Sequence, residues 1–390
     1  MNCSGFSFKE QKINKMPDIG IGMIGLGYIG EAHLDGILRM PYIFKDPPAI
    51  PKLIYACDIE RIKCNEIKQR YNFLDYCINW QNLIEDERVK IVYITSPNYL
   101  HAEQCIAASK AGKHIVCEKP LGLNSLEAKE ILKSAKKTDV KNLCNFIFRM
   151  VPALAYAKQL LMEKKLGKII SFSATRLSDH LLNENVPITW RLDKRTAGSG
   201  VVGDLMSHII DLARWLCGEP VSVMAINKIF INERPKHPGD FKKFKVDVED
   251  DSVAILNFEN GATGYLAASG LRSGRKVFGE VEINGELGTI YWNFEEMNKL
   301  YFYRNEINGF MDLDISGNLY PYIDKWQYPV TRIGFCDLFI NVAFNIINSV
   351  VNKTDLVPMS ATFDDGYKAA VICDAILKAG DSGKTEKVIY

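Results

Sequence analysis

The sequence lacks several features that would assign it to a large class of protein. Its 48 lysines and arginines nearly balance its 47 acidic residues, and the formal net charge of +1 would attract neither nucleic acid nor an anionic membrane. No apolar run approaches the ~20 residues that span a bilayer. The polar N-terminal stretch lacks the apolar core of a signal peptide. We therefore expect no nucleic-acid partner and no membrane partner.

The ten cysteines also lack a metal-binding or disulfide pattern. None forms a Cys-x-x-Cys pair or a metal-like spacing with histidine, and several fall within apolar stretches. Reduced thiols in a cytoplasmic protein, with no bound metal, are the expected interpretation. The length of 390 residues and the hydrophobic content of 47% suffice for two domains of ordinary size.

What the sequence does contain is a glycine-rich turn directly after an apolar run. Residues 19–34 read IGIGMIGLGYIGEAHL, a predicted strand that leads through Gly25, Gly27 and Gly30 into a predicted helix. This order is typical of a loop that holds a dinucleotide. The first glycine allows a sharp turn, the second admits the pyrophosphate, and the third lets the helix pack closely, while the helix N-terminus attracts the phosphates. An ordinary glycine turn is the alternative.

Further cofactor contacts are predicted around this turn. Tyr28 and Ile29 lie within it, and Asp58 ends a second apolar run. A carboxylate there accepts hydrogen bonds from an adenosine ribose and repels a 2′-phosphate, which favours NAD over NADP. A solvated carboxylate at a strand end is the alternative. The spacing from Gly30 to Asp58 is longer than usual, and the proline-rich stretch 41–51 is the expected insertion.

Up to about residue 148, apolar strands alternate with amphipathic helices, which predicts a parallel sheet covered on both faces. The predicted strands are Ile19–Ile24, Leu53–Cys57, Ile91–Ile94, His114–Cys117 and Asn142–Ile147. The predicted helices include Glu60–Arg70, His101–Ala111 and Ser125–Lys136. After a polar tail over residues 1–17, residues 18–148 are thus predicted to form an α/β Rossmann domain.

From residue 149 onward strands dominate, and the pattern predicts an α+β domain over residues 149–390. The predicted strands are Lys168–Arg176, Ser222–Ile231, Asp251–Glu259, Thr263–Ser269, Val277–Ile283, Thr289–Trp292 and Leu300–Tyr303. The predicted helices are Ala153–Glu163, Asp204–Leu216, Phe335–Val351 and Asp364–Ala379. Asn-Gly pairs at 260–261 and 284–285 predict hairpins. We expect a large, mostly antiparallel open sheet with helices on one face. Apolar side chains on its other face would indicate a second subunit.

A lysine follows the predicted strand that ends at Cys117. The sequence there is Cys117-Glu118-Lys119-Pro120, and the carboxyl ends of strands are where ligands bind in open α/β sheets. Lys119 is therefore a candidate donor of a proton or a hydrogen bond to a reacting oxygen. A surface lysine that opens a loop is the alternative.

A second group of candidate residues follows the glycine-rich stretch 197–203. The predicted helix carries Asp204, His208 and Asp211, and the first two are four residues apart and so share one helix face. A neutral histidine can accept a hydroxyl proton, and a carboxylate one turn away can orient it or contact a substrate. The glycines suggest that another group approaches the backbone closely. An acidic helix N-terminus beside a structural histidine is the alternative, favoured for Asp211.

Together these motifs make the chain similar to the Gfo/Idh/MocA oxidoreductases, the group of glucose–fructose oxidoreductase and inositol dehydrogenase. The resemblance covers nearly the whole chain after Met16. Besides the glycine turn, it is carried by the segments TSPNYLH (95–101), AGKHIVCEKPL (111–121), NFIFRMVP (145–152) and GVVGDLMSHIID (200–211).

The resemblance implies a role for each matching residue. Lys119 would hydrogen-bond the reacting hydroxyl, His208 would accept its proton, and Asp204 would fix the substrate and the histidine. The bond between Lys119 and Pro120 would be cis. The resemblance implies cofactor contacts from Ser96, Asn98, His101, Glu118 and Lys119. Helix capping is the alternative for Asn98.

Substrate contacts are implied for a further set of residues. They are Lys119, Arg149, Trp190, Arg191, Asp204 and His208. Trp190 and Arg191 resemble part of a pocket-lining loop, which includes Lys194, with a solvated side chain as its alternative. A structural role at the domain junction is the alternative for Arg149.

Two other features are expected to be structural. His33, on the first predicted helix, is expected to be a packing residue rather than a ligand. The acidic stretch 247–251 leads into a strand and resembles an ordinary structural element of the family rather than a metal site.

The resemblance implies an NAD-dependent dehydrogenase that oxidises a secondary hydroxyl of a sugar, sugar acid or inositol-like polyol, or catalyses the reverse reduction. It implies acid–base chemistry without a metal, and a homodimer or homotetramer formed through the open sheet face. The alternatives are an NAD-dependent glycosidase of the same superfamily and a non-catalytic NAD-binding regulator. The intact Glu118-Lys119-Pro120 favours the dehydrogenase.

Overall fold

A computed structural model describes residues 16–329, 332–357 and 359–390. Most of the predicted polar tail, residues 1–15, therefore lies outside the described part of the chain. The described residues form two large sheets, the first built from residues 18–144 and the second from residues 169–387. The exact boundary between the domains stays a prediction.

The first sheet has six parallel strands in the order β3-β2-β1-β4-β5-β6, which is the doubly wound order of a Rossmann domain. The strands are β1 (Asp18–Ile24), β2 (Ile50–Cys57), β3 (Asp75–Cys77), β4 (Ile91–Ile94), β5 (His114–Cys117) and β6 (Asn142–Cys144). The sequence pattern missed β3, which has three residues and is too short to show a period. The strand predicted up to Ile147 ends at Cys144, because residues 147–150 form a 3-10 turn instead.

Five helices cover this sheet. They are α1 (Tyr28–Ile43), α2 (Arg61–Tyr71), α3 (Trp80–Glu85), α4 (Asn98–Lys110) and α5 (Ser125–Thr138). The expected proline-rich insertion is only partly correct. Pro41 lies inside α1, and Ile50 already belongs to β2, so the long spacing between Gly30 and Asp58 arises mainly from a 16-residue helix and an eight-residue strand.

The second sheet has nine strands in the order β16-β15-β14-β13-β7-β12-β11-β8-β17. Its strands are β7 (Ile169–Leu177), β8 (Pro220–Lys228), β11 (Asp251–Phe258), β12 (Thr263–Ser269), β13 (Phe278–Gly285), β14 (Gly288–Asn293), β15 (Lys299–Arg304), β16 (Gly309–Asp314) and β17 (Glu386–Lys387); β9 (Glu233–Pro235) and β10 (Lys243–Lys245) form a separate hairpin. All pairs are antiparallel except β7 with β12. Both predicted Asn-Gly hairpins are confirmed, β11–β12 and β13–β14.

Helices cover one face of this sheet, as predicted. The remaining helices are α6 (Pro152–Met162), α7 (Lys194–Ala197), α8 (Ser207–Cys217), α9 (Leu338–Asn352) and α10 (Phe363–Ser382). Helices α6, α8 and α10 pack on the sheet, whereas α9 packs mainly against α1 of the Rossmann domain. The contact between α1 and α9 is close, because a Cβ added at Gly36 would lie 2.5 Å from the carbonyl carbon of Phe339.

Among the described residues, one helical segment, Phe335–Asn352, is long and apolar enough to cross a membrane by length and composition. However, 61% of the segment is buried inside the protein. Burial of that kind is what the core helix of a folded domain shows, since Phe339, Ile340 and Val342 are shielded by other elements.

The opposite face of the large sheet carries exposed apolar side chains. Met224, Ile255 and Tyr265 are 48%, 50% and 44% exposed. They form a row across three neighbouring strands, because Ile255 is directly opposite both Met224 and Tyr265. Ile226 extends the same patch along β8.

Candidate active site

The glycine turn leaves open the space that a dinucleotide pyrophosphate requires. Gly25 has a φ angle of +90°, and a Cβ there would lie 2.6 Å from the backbone nitrogen of Ser96. In contrast, a Cβ at Gly27 would meet no atom within 4 Å, directly before the first turn of α1. No side chain caps the N-terminus of α1. The free N–H groups and the open space therefore fit a pyrophosphate.

Asp58 lies against the same turn. Its Oδ2 accepts a hydrogen bond of 2.9 Å from the backbone N–H of Leu26. The carboxylate is thereby fixed beside the glycine loop rather than solvated at a strand end, and its remaining lone pairs fit a ribose hydroxyl. Tyr28 and Ile29 lie in the first turn of α1, with Tyr28 72% exposed. Their predicted cofactor contacts stay predictions.

The side chains that follow β4 mainly hold the protein together. Ser96 donates from its hydroxyl to Gln104 at 2.6 Å. Asn98 does not cap α4; its amide donates to the carbonyl oxygen of Ala197 at 2.9 Å and ties the two domains together. Contacts of Ser96 and Asn98 with the cofactor stay predictions.

The cofactor contact predicted for His101 does not fit the structure. Its side chain is completely buried, and its two ring nitrogens lie 2.9 Å from the carbonyl oxygens of Pro120 and Ser96. Burial lowers the pKa of His101. The ring has no free nitrogen for a ligand, so the structure gives it the role of positioning the loop that carries Lys119.

His33 is more than a packing residue. Its Nε2 lies 2.9 Å from Oε1 of Glu118, and the amide of Asn145 donates to the same oxygen at 2.6 Å. The second carboxylate oxygen of Glu118 accepts from the backbone N–H of Lys119 at 3.2 Å. Burial alone would raise the pKa of Glu118, but His33, Lys119 and Asn145 more than offset this and lower it. Glu118 is thus an ionised carboxylate that fixes the backbone of Lys119.

The ammonium of Lys119 pairs with Asp204 across the domain junction. Its Nζ donates to Oδ1 of Asp204 at 2.8 Å and to the backbone oxygen of Asp204 at 2.7 Å. The bond between Lys119 and Pro120 is cis, as the resemblance implies. Burial alone would raise the pKa of Asp204, but Lys119, with Arg191 and His180 nearby, holds that pKa below its usual range.

The predicted pairing of Asp204 with His208 is wrong. Residues 202–206 form a π-helical turn before α8, and the carboxylate of Asp204 bonds Lys119 instead of the histidine. The ring of His208 packs against Phe146 and Phe148, with centroids 6.3 and 5.0 Å away. Its Nδ1 is buried without a partner, so Nε2 is the nitrogen that can reach a substrate.

Burial also sets the protonation state of His208. It lowers the pKa well below the usual value, and the charges of Lys119 and Arg176 lower it further. The ring is therefore neutral at physiological pH. A neutral imidazole in a dry pocket can accept a proton from a hydroxyl group.

The glycines before α8 approach the protein itself rather than a ligand. A Cβ at Gly198 would lie 2.2 Å from the carbonyl oxygen of Leu123, and one at Gly200 would lie 1.8 Å from that of Glu249. The side chain of Glu249 in turn accepts from the backbone N–H of Val202 at 2.9 Å. The acidic stretch 247–251 therefore supports the π-helical turn, and the described residues contain no group of three or more residues arranged to hold a metal ion.

Arg149 does not line the site. Its Nε and Nη2 donate to the two carboxylate oxygens of Asp211 at 2.8 and 2.6 Å, and Nη2 also contacts Asp365 at 2.9 Å. Its side chain is only 3% exposed. The predicted substrate contact of Arg149 is therefore replaced by the structural alternative, an ion pair that joins α8 and α10 to the segment after β6.

Trp190 and Arg191 lie where the resemblance places a pocket loop. The guanidinium of Arg191 stacks 4.3 Å from the ring centroid of Trp190. Its positive charge also helps to lower the pKa of Asp204. Lys194 is exposed, which agrees with the solvated alternative. Substrate contacts of Trp190 and Arg191 stay predictions.

Two basic residues near Asp204, Arg176 and His180, were not predicted from the sequence. Each interacts electrostatically with the Asp204 carboxylate. A signal for Arg176 was present. Phe172 and Ala174 are buried on the helix-covered face of β7, and Arg176 continues the same alternation. A charged residue at an inward-facing strand position is uncommon and often functional.

Comparisons with known proteins agree with this geometry. Residues 19–146 match a model described as "Oxidoreductase family, NAD-binding Rossmann fold", and residues 154–291 match the GFO/IDH/MocA C-terminal domain. The chain is 34% identical to levoglucosan dehydrogenase of Pseudarthrobacter phenanthrenivorans, over 93% of this chain and 96% of that one. It is 28% identical to myo-inositol 2-dehydrogenase of Thermotoga maritima, over 71% and 72%. A solved levoglucosan dehydrogenase in complex with NADH superposes with a TM-score of 0.90, covering 95% of this chain and 99% of that chain at 34% identity.

The chain therefore belongs to the Gfo/Idh/MocA oxidoreductase family. It is an NAD-dependent dehydrogenase of the class that acts on sugar and polyol hydroxyl groups.

Replacing Arg149 by alanine tests its structural role. The substitution leaves Asp211 buried without its partner, which costs about 3–5 kcal/mol of unfolding free energy. Urea unfolding should show this loss, while the KM for substrate of the folded variant stays close to that of the parent. The exposed Arg304→Ala is the matched control. A stable Arg149→Ala protein with a strongly raised KM would restore the predicted substrate contact.

Proposed function

We propose that the protein oxidises a secondary hydroxyl of a sugar or cyclic polyol, with Lys119, His208 and Asp204 as its catalytic residues. The observation that carries this proposal is the Lys119 ammonium just beyond the carboxyl end of β5, fixed by Asp204 at 2.8 Å and close enough to the neutral His208 for its charge to lower the pKa of that ring. The levoglucosan and myo-inositol dehydrogenases among its relatives support the substrate class.

The residues divide the proton chemistry between them. His208 accepts the hydroxyl proton at Nε2, and Lys119 donates a hydrogen bond that stabilises the charge developing on the oxygen. Asp204 holds Lys119 in place through the hydrogen bond from Nζ. When bound, NAD supplies the carbon that accepts the hydride from the carbinol carbon. The apolar rings of Phe146 and Phe148 exclude water from His208.

The test is NADH formation by the purified protein with NAD, in parallel with NADP, across a panel of inositols, aldoses, anhydro sugars and sugar acids. We expect turnover with NAD on one class. In Lys119→Ala, kcat should fall by about 10²–10⁴ because the charge on the oxygen is no longer stabilised. The NAD dissociation constant should change little.

Three results would contradict this proposal. Loss of NAD binding in a folded Lys119→Ala protein would remove the assigned role of the lysine. Cleavage of a chromogenic glycoside without net NADH would favour the NAD-dependent glycosidase, and NAD binding without turnover on any substrate would favour a regulator.

The pH dependence follows from the depressed pKa of His208. Above its ordinary value of about 6.5, the imidazole is neutral in both the folded and the unfolded chain. Below that value the unfolded chain takes up a proton that the folded site does not bind. The free energy of unfolding therefore decreases as the pH falls, while His208 of the folded enzyme stays neutral and able to accept a proton. We expect the acid limb of kcat/KM to lie below pH 6.5. A limb at or above pH 6.5 that is lost in His208→Ala would contradict the assignment.

We also place the oligomer contact at the exposed row formed by Met224, Ile255 and Tyr265. Its apolar side chains suit the homodimer or homotetramer implied by the resemblance. Sedimentation velocity should show a dimer or tetramer. The Ile255→Glu variant should sediment as a smaller species, because assembly would bury the charge of the new glutamate. Tyr42→Glu, an exposed position on α1, is the control. A monomeric parent protein would refute the contact.

A further inference from the structure

The side of the Arg176 guanidinium formed by Nε and Nη2, here called its free edge, lies next to the proposed catalytic residues and has an unused hydrogen-bond donor. Its Nη1 donates to the carbonyl oxygen of Phe278 at 3.1 Å, and its guanidinium lies 5.2 and 5.5 Å from the ring centroids of Phe148 and Phe294. The carbonyl and the two rings fix the plane of the guanidinium. Its Nε is buried and has no hydrogen-bond partner.

Other buried arginines of this chain use the same edge differently. Nε and Nη2 of Arg149 bind both carboxylate oxygens of Asp211, and Nε and Nη2 of Arg214 bind both oxygens of Glu219 at 2.8 Å each. The Nε of Arg234 is also buried without a partner, but both of its terminal nitrogens are taken, Nη1 by the carbonyl of Asn183 and Nη2 by that of Leu181. At Arg176 no described residue forms an ion pair with the guanidinium within 4.0 Å. Because a buried N–H without a partner is costly, this edge is suited to an acceptor from outside the chain.

The surroundings of Arg176 place that acceptor at the reaction centre. The ring of Phe148 contacts both the guanidinium of Arg176 and the ring of His208, so both groups lie around one side chain. The charge of Arg176 also interacts with Asp204 and His208. A group that binds Arg176 therefore belongs to the same small molecule whose hydroxyl reaches His208.

The charges in the cleft favour an anion over a neutral acceptor. Lys119 pairs with Asp204, and Glu118 is held by His33 and Asn145, whereas neither Arg176 nor Arg191 has an ion pair within 4.0 Å among the described residues. Burial lowers the pKa of Arg176 to about 10, a sign that its charge is poorly solvated and poorly paired. A carboxylate would restore the balance, and its two oxygens match the two N–H groups of the free edge.

We propose that Arg176 is a specificity-determining residue that binds the carboxylate of a sugar-acid substrate through its Nε and Nη2. This inference rests on the proposed function, because it assigns the substrate of the same site. Within the sugar and polyol class, it selects acids such as uronates and aldonates over their neutral counterparts.

The experiment compares substrates that differ only in the carboxylate. D-glucuronate and D-galacturonate are assayed with NAD beside D-glucose and D-galactose, in the parent protein, Arg176→Gln, Arg176→Lys and the control Arg304→Gln. Binding of D-glucuronate to the NADH-loaded protein is measured by calorimetry, which needs no turnover. Thermal unfolding confirms that each variant is folded.

The parent should show at least about tenfold higher kcat/KM for one uronate than for its neutral partner. Arg176→Gln should raise the KM and dissociation constant for that uronate by about 10²-fold, since a charge-assisted bidentate contact is lost, and should raise those of the neutral sugar far less. The KM and dissociation constant of Arg176→Lys for the uronate should lie between those of the parent and those of Arg176→Gln, because lysine keeps the charge but lacks the planar guanidinium with its paired N–H groups. Arg304→Gln should match the parent.

The opposite results would overturn the inference. A neutral sugar preferred over its acid, or an equal effect of Arg176→Gln on both, would mean that Arg176 binds no carboxylate. Failure of the proposed function would look different: no substrate would yield NADH, while D-glucuronate could still bind in the calorimeter in an Arg176-dependent manner.

Discussion

The ion pair between Lys119 and Asp204 is the interaction on which the rest of the site depends. Lys119 follows strand β5 of the Rossmann domain, and Asp204 lies in the π-helical turn of the second domain. Neither domain alone holds the proposed catalytic set, because Lys119 belongs to one and His208 to the other. At 2.8 Å and partly buried, the pair ties Lys119 to the turn that leads into α8, the helix that carries His208. It also keeps Asp204 ionised, so the electrostatics of the cleft follow from the same contact.

A second layer of buried charge supports this pair from behind. Arg149 joins Asp211 and Asp365, and it thereby ties the start of the second domain to α8 and α10. Asp211 follows His208 by less than one helical turn, so this ion pair anchors the same part of α8. Glu249 and the glycines of residues 198–203 complete the support, because they let the π-helical turn pack directly on other backbone segments.

The sequence predicted the elements that recur along the chain and missed those set by packing. Strands such as β4 and β5 have clear apolar patterns and were predicted to the residue, whereas β3 is too short to show a pattern. Lys119, Asp204 and His208 were found because motif spacing identifies them. Their mutual arrangement was not, since a π-helical turn changes which neighbour a side chain faces, and no local signal announced it. Partners distant in sequence, such as His33 with Glu118 or Arg149 with Asp365, become visible only once the fold brings them together.

Through the contact between His33 and Glu118, helix α1 connects the glycine turn to the segment that carries Lys119. The N-terminus of α1 faces the space for the pyrophosphate, and His33 lies five residues further along the same helix. At 1.5 Å per residue, about 7.5 Å of rigid helix separates these two points. Because His33 holds Glu118, and Glu118 holds the backbone of Lys119, the helix links the glycine turn to the backbone of Lys119. The space for the pyrophosphate and the lysine are thereby connected through one element of secondary structure.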